Sequence, residues 1–299
     1  MLSPYCSSVW TPLRRTSLPE IDTWAKASDK IADVDLLATY LNAWRDSADR
    51  VLSLCRDLTS GQWASRTDLP GWTVRDVVAH LAHVEIELAA GTLDTGASDR
   101  REMAPDATRA GVEQRTDHEP DQLVAELADA VERRTAALAA DPPSGPDDPP
   151  PGVSPGFGWD WQTLLRNRAI DMWVHEQDIR RAVDLPGGMD SPGAEVSVTS
   201  FAAALPYVLG KKVAPDPGTV VGWQVTGEVP VQLALQIGDD GRARTLDGEP
   251  PADATWLRMD TETFTILAAG RRAVDDVAFD VDGDHELATR VAAAMAVTP

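Results

Sequence analysis

The chain is poor in positive charge, in cysteine and in long apolar runs. Lysine and arginine together number 27 against 48 aspartates and glutamates, a formal net charge of -21, and only Lys26, Lys30, Lys211 and Lys212 among them are lysines. A surface that negative repels phosphate backbones and anionic lipid, which argues against nucleic acid and membrane surfaces as partners. Two cysteines, Cys6 and Cys55, cannot build a disulfide framework, so a reducing cytoplasm is the expected compartment. No stretch approaches the ~20 apolar residues of a membrane span. The first thirty residues lack the continuous apolar core of a secretory signal. What is present is the composition of an ordinary globular protein, with 43% hydrophobic and 25% charged residues in 299, a length that predicts about two domains. The scarcity of lysine beside abundant Ala, Asp, Val, Pro and Arg reads as codon usage in a high-GC genome.

Hydrophobic periodicity divides the chain into two halves. Residues 1–34 show no period and read as an extension. From Asp35, the residues Leu37, Leu41, Trp44, Ala48, Val51, Leu52 and Cys55 recur at helical spacing, which makes Cys55 a small buried hydrophobe rather than a reactive thiol. A turn, Asp68-Leu-Pro-Gly-Trp72, precedes Thr73, an N-cap with Asp76 three residues on. The helix it opens runs from Val74 to about Ala90. A third helix spans about Pro120–Ala140 and a fourth about Asp160–Val183. Between them, residues 141–158 hold seven prolines and read as a loop. After the turn at 185–193 the pattern changes. A helix near Glu195–Leu209 is followed by short β-rich runs at Thr219–Thr226, Pro230–Ile237, Ala243–Leu246 and Thr255–Met259. A helix at Thr261–Ala269, a strand at Val277–Val281 and a helix at His285–Ala296 complete an α+β half. The domains expected are thus 35–187, helical, and 194–299, α+β.

The fourth helix carries the chemistry. Asp171, His175 and Asp178 fall on the same face as Leu164, Leu165, Met172, Ile179 and Ala182, where unpaired ionisable groups cost several kcal/mol each. Asp171 and His175 lie four apart, the spacing by which a helix presents a carboxylate and an imidazole to one metal. His80, on the edge of the second helix's apolar face, is favoured as third ligand over His83, which points away beside Glu87 and reads as solvated. Two histidines, one carboxylate and an open position describe a catalytic zinc site. Glu176 sits about 100° around the helix from His175, which disfavours it as a general base for hydrolysis.

Two motifs, Leu69-Pro-Gly-Trp-Thr-Val-Arg-Asp-Val-Val-Ala-His-Leu81 and Arg168-Ala-Ile-Asp-Met-Trp-Val-His-Glu-Gln-Asp-Ile-Arg180, resemble the mycothiol-dependent maleylpyruvate isomerase family. Residues 263–272 and 281–290 resemble that family's smaller domain. The resemblance implies a DinB-like four-helix bundle followed by a sterol-carrier-like α+β domain, and a divalent metal, usually zinc, on His80, Asp171 and His175. It places Asp171 where the best-studied type of member has Glu. If these three share one metal, residues 141–158 connect two helices of one bundle, and Phe157, Trp159 and Trp161 are candidates to roof the pocket or merely to anchor the loop. The resemblance further implies mycothiol as cosubstrate and an arginine of the second domain, Arg271 rather than Arg272, holding an anionic substrate. Asp178 is a candidate to orient His175, and His285 reads as structural. The expected function is activation of the thiol for S-transfer to, or isomerisation of, a small electrophile, with S-transfer preferred. A non-catalytic small-molecule binding or regulatory protein is the alternative. The partners expected are small molecules, for a monomer or small homo-oligomer.

Overall fold

The computed structural model describes residues 36–93, 105–151, 153 and 158–298. Expectations for residues 1–34 and for Phe157 lie outside them. The helical half consists of α1 (Leu36–Arg56), the single turn α2 (Ser60–Trp63), α3 (Val74–Ala90), α4 (Pro105–Glu113), α5 (Pro120–Ala140) and α6 (Trp161–Val183). The four long helices appear where their periodicity places them, and they share one core. Trp44, Ala48 and Val51 of α1 meet Val77, Val78 and Leu81 of α3, Leu123, Leu127 and Val131 of α5, and Ala169, Met172 and Ile179 of α6. Cys55 is buried in that core, and burial pushes its thiol up to about 12, so it behaves as an apolar filler.

Local chemistry fixes where α3 and α6 begin. Gly71, at φ 83°, follows Pro70 in a turn closed by Trp72 N–H donating to Leu69 O, at 3.1 Å; proline sets the first corner and glycine takes the left-handed second one. The Asp76 carboxylate then accepts from both the Thr73 backbone N–H (2.8 Å) and its hydroxyl (2.7 Å). Asp160 caps α6 by accepting from Thr163 N–H at 2.8 Å. The proline-rich segment joins α5 to α6 and docks on the start of α6, where Trp161 N–H donates to Asp148 O at 3.0 Å. It is a loop of the bundle, as its position between two bundle helices predicts.

The second half starts with α7 (Pro192–Tyr207), capped by Ser191, and a π-helical turn (Val208–Val213). Five strands follow: β1 (Val220–Thr226), β2 (Val231–Ile237), β3 (Ala243–Thr245), β4 (Thr255–Asp260) and β5 (Asp280–Asp282). Between β4 and β5 lies α8 (Thr261–Ala268), and α9 (His285–Ala293) ends the fold. The sheet order is β3-β2-β1-β4-β5, with β1 and β4 parallel and the other pairs antiparallel. The strand expected at Val277–Val281 is shorter and later, because Val274–Asp276 takes a 3-10 turn first. Gly222 of β1 has a packing reason: a Cβ there would lie 2.4 Å from the ring of Trp256 on β4. The exposed His285 begins α9.

The two halves meet along α6. Trp173 and Val174 belong to the core of the sheet half, beside Phe201, Leu205, Trp223 and Phe264, while Met172 and Ile179 of the same helix belong to the bundle core. Residues 37–299 accordingly form one unit. No described helix is long and apolar enough to cross a membrane.

Candidate metal centre

The ladder Arg168, Asp171, His175 and Asp178 runs along one face of α6 at three- and four-residue steps, so its side chains stack in a single file. His80 of α3 faces it. One ligand atom from each of His80, Asp171 and His175 lies within 4.8 Å of the others. His80 Nε2 is 3.7 Å from Asp171 Oδ2, and His175 Nε2 is 3.6 Å from Asp171 Oδ1. The imidazoles meet edge to face, with centroids 5.0 Å apart. The three side chains that spacing selected are therefore brought together. His83 lies outside the cluster and is not solvated: it is half-buried, its ring closing over Gly111 of α4.

The surroundings set the charge of each group. Burial lowers the pKa of His80, outweighing the pull of Asp171, so the imidazole is neutral, and its Nδ1 is buried without a partner among the described residues. Burial opposes ionisation of Asp171, but Arg168 and the two histidines hold its carboxyl well below the usual carboxylate range. Asp178 is fully buried and accepts from His175 Nδ1 at 2.9 Å. It also accepts from Arg181 Nη2 at 2.6 Å and from Arg271 Nε at 3.0 Å. Burial again opposes its ionisation, but the His175 hydrogen bond and the two guanidiniums bring it down to about 2. An ionised Asp178 on Nδ1 favours the tautomer that leaves the His175 Nε2 lone pair facing Asp171 and His80.

Arg271 reaches the site from the sheet half. Its Nε is engaged by Asp178 and its Nη1 donates to Ala269 O at 2.7 Å, so its grip is on Asp178, and its Nη2 has no partner among the described residues. Arg272 pairs with Asp68 at 3.0 Å, and the same aspartate takes Arg181 at 2.9 Å. The Gly-Arg-Arg turn after α8 thereby docks on the end of α6 and on the Leu-Pro-Gly-Trp turn. Glu176 faces away from the cluster and pairs with Arg180 at 2.7 Å.

Three features escaped the periodicity. Trp72 walls the cluster, its ring centroid 5.4 Å from that of His80 and 6.5 Å from that of His175. Trp161 and Trp159 instead form a separate apolar cluster with Leu164 and Leu165, which makes them anchors of the proline-rich loop. Arg168 bridges Asp171 to Glu85 of α3, and Glu85 also binds Arg134 of α5. A buried arginine one turn before the acid was the available signal, but sequence alone gives it no partner.

The donor set fits a divalent cation. It offers two imidazole nitrogens whose second nitrogens are either fixed by a carboxylate or sealed in the core, and one ionised, partly exposed carboxylate. Fold and site together define a class: an α+β protein whose helical bundle carries a two-histidine, one-carboxylate cluster braced by its second half. Comparison with known proteins points the same way. Residues 44–180 match the family model described as the mycothiol maleylpyruvate isomerase N-terminal domain, a stretch that spans all three cluster residues. The resemblance carried by the two motifs thus holds. The fold is also that of the crystal structure of the mycothiol-dependent maleylpyruvate isomerase, at 17% identity and TM-score 0.53, and of a histidine-to-alanine mutant of it, at 18% and 0.52. Each comparison covers 82% of this chain and 92% of the other. No curated protein sequence matches the chain significantly.

Proposed function

We propose that this chain is a thiol-dependent enzyme of small electrophiles, using mycothiol as cosubstrate and a divalent cation, zinc by the nature of the donors, on His80, Asp171 and His175. The observation that supports this best is the convergence of those three donors with Asp178 behind His175. A bound divalent cation would keep a thiol as thiolate at neutral pH. The chain's own residues do the rest. Asp178 keeps His175 in one tautomer. Trp72 shields one side of the cluster from water. Arg271 stiffens Asp178, and its remaining nitrogen is the candidate contact for a substrate carboxylate.

Isomerisation is the reaction we favour, because the family model and both solved structures carry that activity in their descriptions. The preference for S-transfer drawn from sequence has no such support. The test is elemental analysis of wild type, His80→Ala and His175→Ala, followed by incubation of metal-loaded protein with mycothiol and maleylpyruvate or a panel of electrophiles. Near-stoichiometric metal lost in both variants, with conversion of maleylpyruvate and no net thiol consumption, supports an isomerase. Net thiol consumption with conjugate formation identifies a transferase. Metal-loaded protein that does neither refutes the enzymatic reading and leaves a binding protein.

A further inference from the structure

We infer that Arg168 is a positioning residue of the candidate metal centre: by holding Asp171 Oδ2 it fixes how the carboxylate meets a cation and disfavours chelation through both of its oxygens. This rests on the metal reading above. Arg168 Nη1 donates to Asp171 Oδ2 at 2.8 Å. The other edge of the same guanidinium holds Glu85 Oε1, through Nη2 at 2.8 Å and Nε at 3.2 Å. Glu85 is itself immobilised. Its side chain is fully buried, its Oε1 takes the Trp44 indole N–H at 2.9 Å, and its Oε2 takes Arg134 Nη1 at 2.7 Å. The Arg134 guanidinium in turn lies 4.6 Å above the Trp44 ring. Arg168 therefore cannot swing away without leaving buried charges unpaired.

Asp171 Oδ1 faces His175 Nε2 at 3.6 Å, whereas Oδ2, besides its bond from Arg168, lies 3.7 Å from His80 Nε2. The charge-assisted hydrogen bond to Oδ2, the strong kind, takes one of its lone pairs and draws charge from the other, which disfavours chelation through both oxygens and holds Asp171 in one orientation. With Asp171 so held, the chain favours three donor atoms over four, which leaves further positions to exogenous ligands. The device extends through four helices: α1 and α5 hold Glu85 of α3, Glu85 holds Arg168 of α6, and Arg168 sets how Asp171 can bind.

Cobalt(II) is the probe, because its visible absorption weakens as coordination number rises. Full-length apo-protein is titrated with Co2+ as wild type, Arg168→Met and Arg168→Lys, and each loaded form is then titrated with 2-mercaptoethanol. The lysine variant keeps the positive charge in the core, but a single ammonium cannot span Asp171 and Glu85 together. Wild type should give the intense bands of a low-coordinate site and a thiolate-to-cobalt band in the near ultraviolet. Both variants should show weakened visible bands, and thiol half-saturation should move up by about tenfold, the lower end of what outer-sphere changes around a metal cost. A merely structural role for Arg168 would lower folding stability without changing the spectrum of the protein that remains folded. Stoichiometric Co2+ with spectra superimposable on wild type overturns this inference alone. Absence of Co2+ from wild type overturns the metal reading and this inference with it.

Discussion

Glu176 gives a sharp test of the packing beneath the candidate site. Its side chain is fully buried; Oε1 is taken by Arg180, and Oε2 is buried with no partner among the described residues. Burial raises its carboxyl to about 7 from an ordinary 4.5, against the pull of Arg180 and Arg50, with Asp46 adding to the rise. Between those two values the native state holds a proton that the unfolded chain has released, so stability falls as the pH rises through the interval. A rise of that size corresponds to about 3 kcal/mol at 1.36 kcal/mol per unit. Glu176→Gln keeps the shape and removes the charge, so it should match wild type near pH 4.5 and exceed it by about 3 kcal/mol at pH 8. Urea denaturation of both proteins across that range measures the difference. Other groups cancel in the comparison. His80, neutral in the fold and ordinarily titrating near 6.5, costs stability as the pH falls below that value in both proteins. Asp178 contributes stability present above its ordinary 3.8 and lost only as the pH falls through about 2. A wild-type-minus-variant difference that stays constant from pH 4.5 to 8 would refute the assignment of a neutral buried Glu176.

Glu85→Ala strips two buried guanidiniums of their shared partner and should cost about 3–5 kcal/mol in urea denaturation; a loss under 1 kcal/mol would mean that Arg134 and Arg168 find other partners. Asp178→Asn should weaken metal binding about 10- to 100-fold in chelator competition, since the amide no longer selects the His175 tautomer. Arg271→Ala should raise KM for a carboxylate substrate and loosen metal binding, whereas Arg272→Ala, whose pair with Asp68 is partly exposed, should change stability by no more than about 1 kcal/mol. Cys55 should remain unmodified by thiol reagents in the native protein and react only on unfolding, as mass spectrometry would show.

Sequence by itself determined the elements and the metal-ligand candidates. The four long helices follow from apolar residues at helical spacing, and the two starts that frame the site follow from Thr73 with Asp76 and from Asp160. Asp171, His175 and Asp178 were legible because helical spacing puts their charges among Leu165, Met172 and Ile179, where a charge needs a partner or a cation. Tertiary structure decided the partners. Asp178 could have been a surface acid; Arg181 and Arg271, the latter from a turn 93 residues further along the chain, make it the brace of His175. The short strand β5 and the packing of His83 over Gly111 likewise depend on neighbours remote in sequence. The bridge from Glu85 through Arg168 to Asp171 crosses between helices whose register no periodicity encodes. Spacing along one helix is a local geometric property and can be read from letters, whereas the pairing of buried charges depends on which helices pack together, and burial makes those pairings strong enough to set how the site can bind.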